Sequence, residues 1–91
     1  MIQRKGITIS KDEVIKLQWD WSAELEQRDT TLSSSTWATT DSSIVLSSQT
    51  ISGNKALVTL TANNDPRNSA SLTNTVVLAN GETLVAGAYY Q

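Results

Sequence analysis

The feature that most limits what this chain can fold into is an Asn-Gly pair, Asn80-Gly81, set between two strand-like runs, Leu72–Ala79 and Glu82–Ala88. A tight two-residue turn needs positive φ at both central positions, and Asn-Gly accepts that at the least steric cost. The pair therefore predicts a β-hairpin, with Ala79 opposite Glu82, Val77 opposite Leu84 and Val76 opposite Val85. The same β character runs back to Thr30. Thr31–Thr39 (with Leu32 and Trp37), Ile44–Ser48 and Lys55–Ala62 (with Val58 and Leu60 between threonines) all read as strands. Ser52-Gly53-Asn54 marks a turn. Asn63-Asn64-Asp65-Pro66-Arg67-Asn68 is the strongest loop, since Asn and Asp bond their own backbone and Pro66 cannot donate to a ladder. Short strands spaced about eight to twelve residues apart predict an antiparallel β-sandwich.

Residues 14–22 admit two readings. Alternation places Ile15, Leu17, Trp19 and Trp21 on one face and Lys16, Gln18 and Asp20 on the other, as in a half-buried strand. A helix is the competing reading: Ser10 and Glu13 have capping-box spacing, and Val14, Leu17, Trp21 and Leu25 follow a helical stripe. The strict alternation over seven residues favours the strand. Ala23–Asp29 then reads as a helical turn or a loop. The expected organisation is an N-terminal arm over 1–13, one sandwich domain over 14–88 and a short tail over 89–91.

Ninety-one residues make one domain with a modest core. Twelve serines and twelve threonines favour strands and polar surfaces over helices. Only 18% of the chain is charged and the formal net charge is −2, which offers no electrostatic grip on nucleic acid or an anionic membrane. No run reaches the roughly 20 apolar residues that span a bilayer, and no apolar stretch follows the charges of Met1–Gly6 to suggest a signal peptide. These features place the chain in a cytoplasm or in something assembled there.

With no His and no Cys, the Ser-His-Asp and Cys-His triads are excluded, as are zinc sites built on them. The clusters Ser33-Ser34-Ser35, Ser42-Ser43 and Ser47-Ser48 read as solvated strand faces. The carboxylates Asp12-Glu13 and Glu24/Glu26 lie in polar stretches. Asn63, Asn64 and Asp65 lack the ligand spacing of a calcium loop. No catalytic residue, cofactor or metal is expected, and the chain reads as a non-enzyme. Trp19, Trp21 and Trp37 are read chiefly as the aromatic core of a Phe-free domain, with protein–protein anchoring as the alternative. The candidate interface residues are Ile7, Ile9, Trp19, Tyr89 and Tyr90. Four of these lie near the chain ends, where a lone domain offers few edges to cover them.

Asp12-Glu13-Val14, Trp19-Asp20-Trp21-Ser22, and Asp29-Thr30 followed by Ser33-Ser34-Ser35-Thr36-Trp37 together resemble the small phage fiber–tail adaptor family. Leu72-Thr73-Asn74-Thr75-Val76 and Ala79-Asn80-Gly81 resemble the closing hairpin of that family. The likeness covers roughly residues 12–85. Two features depart from it: an apolar Glu82–Gln91 where the family carries charge, and a longer arm at Met1–Ser10. The resemblance implies a small immunoglobulin-like β-domain in a bacteriophage virion, present in several copies and contacting tail, fiber or capsid proteins. A capsid decoration protein and, further off, a glycan- or receptor-binding module are the rival expectations.

Overall fold

The computed structural model describes residues 2–3, 6–67 and 70–90, and in these the chain is all-β with one short helix. β1 (Ile2–Gln3) is followed by β2 (Val14–Asp20), α1 (Ser22–Arg28), β3 (Leu32–Thr39), β4 (Ile44–Ser52), β5 (Lys55–Ala62), β6 (Ser71–Leu78) and β7 (Thr83–Tyr89). One sheet has the order β1-β7-β6-β3 and the other β2-β5-β4. Among the described strands every pairing is antiparallel except β1 with β7, which is parallel. If β2 to β7 are lettered B to G, the two layers are B-E-D and C-F-G, the strand order of an immunoglobulin sandwich.

Alternation builds β2 as a strand, not a helix, and Trp19 is buried while Lys16, Gln18 and Asp20 are exposed. Ser10 and Glu13 do use their capping-box spacing, but to close a turn. The Ser10 N–H donates to Glu13 Oε1 at 2.6 Å and the Glu13 N–H to the Ser10 carbonyl at 3.0 Å. β5 and β6 alternate most cleanly: Ala56, Val58, Leu60 and Ala62 face Leu72, Val76 and Leu78 across the core. α1 carries the chain from the β2-β5-β4 sheet to the β1-β7-β6-β3 sheet and buries Leu25. It ends at Asp29, whose φ of 49° lets its N–H return to the Leu25 carbonyl.

Two bulges adjust the ladders. One lies between Leu32 and Ser34 on β3, the other between Ser47 and Thr50 on β4. The β4 bulge holds Ser48 at φ 51° and lets pairing resume to Ser52, four residues beyond the Ile44–Ser48 strand expected from sequence. No alternation marks that polar run; β5 templates it.

The sandwich is not bounded at residues 14 and 88, and residues 6–9 are not a free arm. Ile7, Ile9 and Tyr90 all lie in the core, so the body reaches from Ile7 to Tyr90. Part of the expected arm (residues 1, 4 and 5), Asn68 of the expected loop and Gln91 of the expected tail lie outside the described residues.

The final hairpin exists, but its turn is one residue longer than the Asn-Gly pair predicts. The Gly81 N–H donates to the Leu78 carbonyl (2.9 Å) and the Leu78 N–H to the Glu82 carbonyl (2.8 Å), leaving Ala79-Asn80-Gly81 as the loop. Gly81 has a φ of 93°, whereas Asn80 is not among the positive-φ residues. Its side chain instead accepts the Glu82 N–H at 3.0 Å. This is the three-residue hairpin in which a left-handed glycine follows a turn. The register moves by one: Val77 faces Thr83, Val76 faces Leu84 and Thr75 faces Val85. Buried Val76 is thus matched with half-buried Leu84, and exposed Val77 with exposed Thr83.

A Cβ at Gly81 would meet no atom within 4 Å, so any cost of substitution comes from the backbone alone. Gly81→Val is expected to lower stability by about 1 kcal/mol or more, because a β-branched residue is strained at this φ. Urea unfolding measures it, and an unchanged midpoint would contradict the hairpin geometry.

Candidate functional site

Four of the five residues expected at an interface lie in the core of the domain itself. Ile7 is 9% exposed, Ile9 3%, Trp19 5% and Tyr90 2%; Tyr89 alone is open, at 43%. The physical reason is that the two ends complete each other. The Ile7 N–H donates to the Tyr89 carbonyl, and Ile7 bridges Tyr90 in a parallel sense, continuing the β1–β7 direction. The Tyr90 N–H reaches the Ala70 carbonyl at 3.2 Å, and its hydroxyl lies 2.7 Å from Thr39 Oγ1. Burial pushes the Tyr90 hydroxyl pKa up, opposed in part by the Thr39 bond. Trp19 packs against Trp21 with ring centroids 6.0 Å apart. Trp37 is buried as well.

A pocket of about 280 Å³ lies between the sheets, lined by Ile7, Ile15, Leu17, Trp19, Trp37 and Leu72 among others. No titratable side chain lines it. Among the described residues no three His, Cys, Asp or Glu side chains gather as metal ligands, and no helix is long and apolar enough to cross a membrane. Asp65 is held in its loop, accepting the Lys11 N–H at 2.8 Å.

The motif residues from three distant segments meet inside the domain. Asp20 Oδ1 accepts the Ser22 N–H at 2.9 Å, turning the chain out of β2 and into α1. That turn places Trp21, wholly buried, with its indole N–H donating to Asn74 Oδ1 at 2.9 Å. Asn74, also wholly buried, donates in turn to Ser35 Oγ (2.9 Å) and the Thr36 carbonyl (3.3 Å). A single amide therefore ties the end of β2 to β6 and β3. The sequence did carry a signal for it, because Asn74 sits midway between Leu72 and Val76 on the inward face of β6.

A second polar centre holds the turn between β3 and β4. Asp41, 4% exposed, accepts the Ser43 hydroxyl (2.6 Å) and N–H (2.9 Å) on one oxygen and the Arg67 N–H (2.7 Å) on the other. These bonds, led by the Ser43 hydroxyl and then the Arg67 N–H, hold its pKa down to about 2, against an ordinary 3.8. Asp41 thus joins the β3–β4 turn to the loop before β6.

Two measurements address these centres. Asn74→Leu should cost about 1–3 kcal/mol, because it leaves the Trp21 indole buried without an acceptor. Combined with Trp21→Phe, the two costs should add to less than their sum, by about 1 kcal/mol in a double-mutant cycle. Strict additivity would show that the bond couples nothing. For Asp41, the lowered folded pKa means that its contribution is complete above about pH 4 and fades as the pH falls toward 2. Unfolding midpoints followed across that window should fall less steeply in Asp41→Asn.

No curated protein matches the chain. Residues 10–89 match the family described as podophage GP4 fiber-tail adaptor protein gp77. That span includes β2 to β7, both polar centres and every motif residue from Asp12 to Gly81. The chain belongs to the podophage GP4 fiber-tail adaptor protein gp77 family.

Proposed function

We propose that the chain is a structural adaptor of a podophage particle, joining fiber to tail through protein–protein contacts in several copies, and that it catalyses no reaction. The family match over nearly the whole sandwich carries this reading. The sequence supports the non-catalytic part, since it has no His and no Cys. The motif residues Trp21, Ser35 and Asn74 are engaged in internal hydrogen bonds that fix the scaffold, as a structural part requires. An adaptor of this kind gains attachment strength from several copies acting together, so each contact can be modest.

Purified particles provide the test. Mass spectrometry should find the chain at a low copy number in step with the fiber protein, and cryo-EM should place its density at the tail–fiber junction. A copy number matching the shell protein would assign it to capsid decoration, and absence from particles would end the structural reading.

A further inference from the structure

Among the described residues the sandwich has four strand edges, and they differ in chemistry. β1 spans two residues on the rim of the larger sheet. The β2 edge carries exposed Lys16 and Asp20 and follows exposed Glu13, the kind of charge that discourages a further strand. On β3 the outward N–H of Trp37 is already taken, donating to Gln49 Oε1 at 3.1 Å. β4 is different. Among the described strands it pairs only with β5, and its nine residues contain no charge and no proline. Between Asp29 and Lys55 the sequence has one charged residue, Asp41, and that carboxylate is buried and internally bonded.

The ladder also shows which main-chain groups of β4 are turned outward. Ala62 directs both of its own groups toward β2, its N–H donating to the Glu13 carbonyl (3.0 Å) and its carbonyl accepting the Asp12 N–H (2.7 Å). In an antiparallel ladder hydrogen-bonded and non-bonded pairs alternate. Ile44 faces Ala62 and Leu46 faces Leu60, so these two residues turn their backbone groups away from β5. The Ile44 N–H is used by the Asp41 carbonyl at 3.2 Å, which leaves the Ile44 carbonyl and the Leu46 N–H and carbonyl along the free edge. Beside them Val45 is 46% exposed, and from Ser47 to Ser52 every residue is exposed. The bulge at Ser48-Gln49 confines the regular part of this edge to Ile44–Ser47.

We infer that in the assembled particle this edge is completed by an extended, uncharged strand of a different virion protein, paired through the main chain of Ile44 and Leu46. The inference rests on the adaptor reading above and adds to it the element and the partner chemistry. Affinity in such strand addition comes from backbone hydrogen bonds, and specificity from alternate side chains. A charged strand would lose hydration against a neutral Ser/Thr-rich rim with no counter-charge to meet it.

The chain has no cysteine, so single introduced thiols can report on the edge in intact particles. Val45→Cys beside the edge and Val77→Cys on the outer face of β6 (37% exposed) are carried into phage and reacted with a maleimide, in particles and as purified chain. The thiol at position 45 is expected to react on the order of tenfold more slowly in particles than in the free chain, the rate then being set by local opening of the paired strand. The thiol at position 77 is expected to react at a similar rate in both. Particles that contain the chain yet leave the position-45 thiol fully reactive would overturn the inference while sparing the adaptor reading. Equal protection of both thiols would overturn it too, since the whole domain would then be enclosed. Slow labelling at position 45 in concentrated free chain would make a second copy the occupant and remove the partner strand. Particles without the chain would end both readings.

Discussion

The hydrogen bond from the Trp21 indole to Asn74 is the contact on which the rest of the sandwich turns. In many immunoglobulin-like domains a disulfide joins the second and sixth strands across the core. This chain has no cysteine, and its corresponding link joins the residue just after β2 to the middle of β6. The bond contributes modestly in net terms, yet leaving either partner unpaired in the interior carries the full cost of desolvation. That asymmetry makes it a register device. Trp21 reaches Asn74 only when the Asp20 turn is closed, and Asn74 bonds Ser35 only when β3 and β6 are paired in their observed alignment.

Closing the ends of the sandwich is the other structural demand on so small a chain. A domain of this length buries a limited fraction of its surface, so apolar residues near the termini count for much. Ile7, Ile9 and Tyr90 enter the core because β7 offers a parallel edge to the incoming N-terminal segment. Asp41 performs a similar task at the β3–β4 turn, where its carboxylate gathers donors from two loops. Ile7, Ile9, Tyr90 and the residues bonded to Asp41 are held by the domain itself. Tyr89, by contrast, stays at the surface.

Charge is unevenly distributed along this scaffold. Most of it lies before Thr30, on the early turns, β2 and α1, whereas β3 and β4 show a neutral rim rich in Ser and Thr. A neutral edge strand invites association, and natural domains usually guard such strands with charge. Here the guard is a bulge and one glutamine side chain, which leaves a short regular segment open. That open segment is the one to which the strand addition inferred above is assigned.

Much of the fold was legible in the residues, because a half-buried strand writes its two faces as alternation. β3, β5 and β6 lie within a residue of the runs read as strands, β2 fills Val14–Asp20 of the alternating stretch 14–22, and the Trp21 core position follows from that alternation. The likeness to the fiber–tail adaptors was legible too, in short motifs that fall within the span 10–89 matched by that family. What alternation does not encode is which partner an edge meets, and the departures are of that kind. The hairpin loop gained a residue because the Asn80 side chain could cap Glu82 while Gly81 alone took the positive φ. β4 ran on to Ser52 because β5 was there to pair with it. The terminal isoleucines and Tyr90, which read as interface, became core once β7 and the N-terminal segment met. The position of Asn74 between Leu72 and Val76 marks it as inward, but only the approach of Trp21 and Ser35 makes it a hydrogen-bonded junction. Local sequence determined the faces of the strands; long-range packing decided their neighbours, since pairing energy depends on groups far apart in the chain.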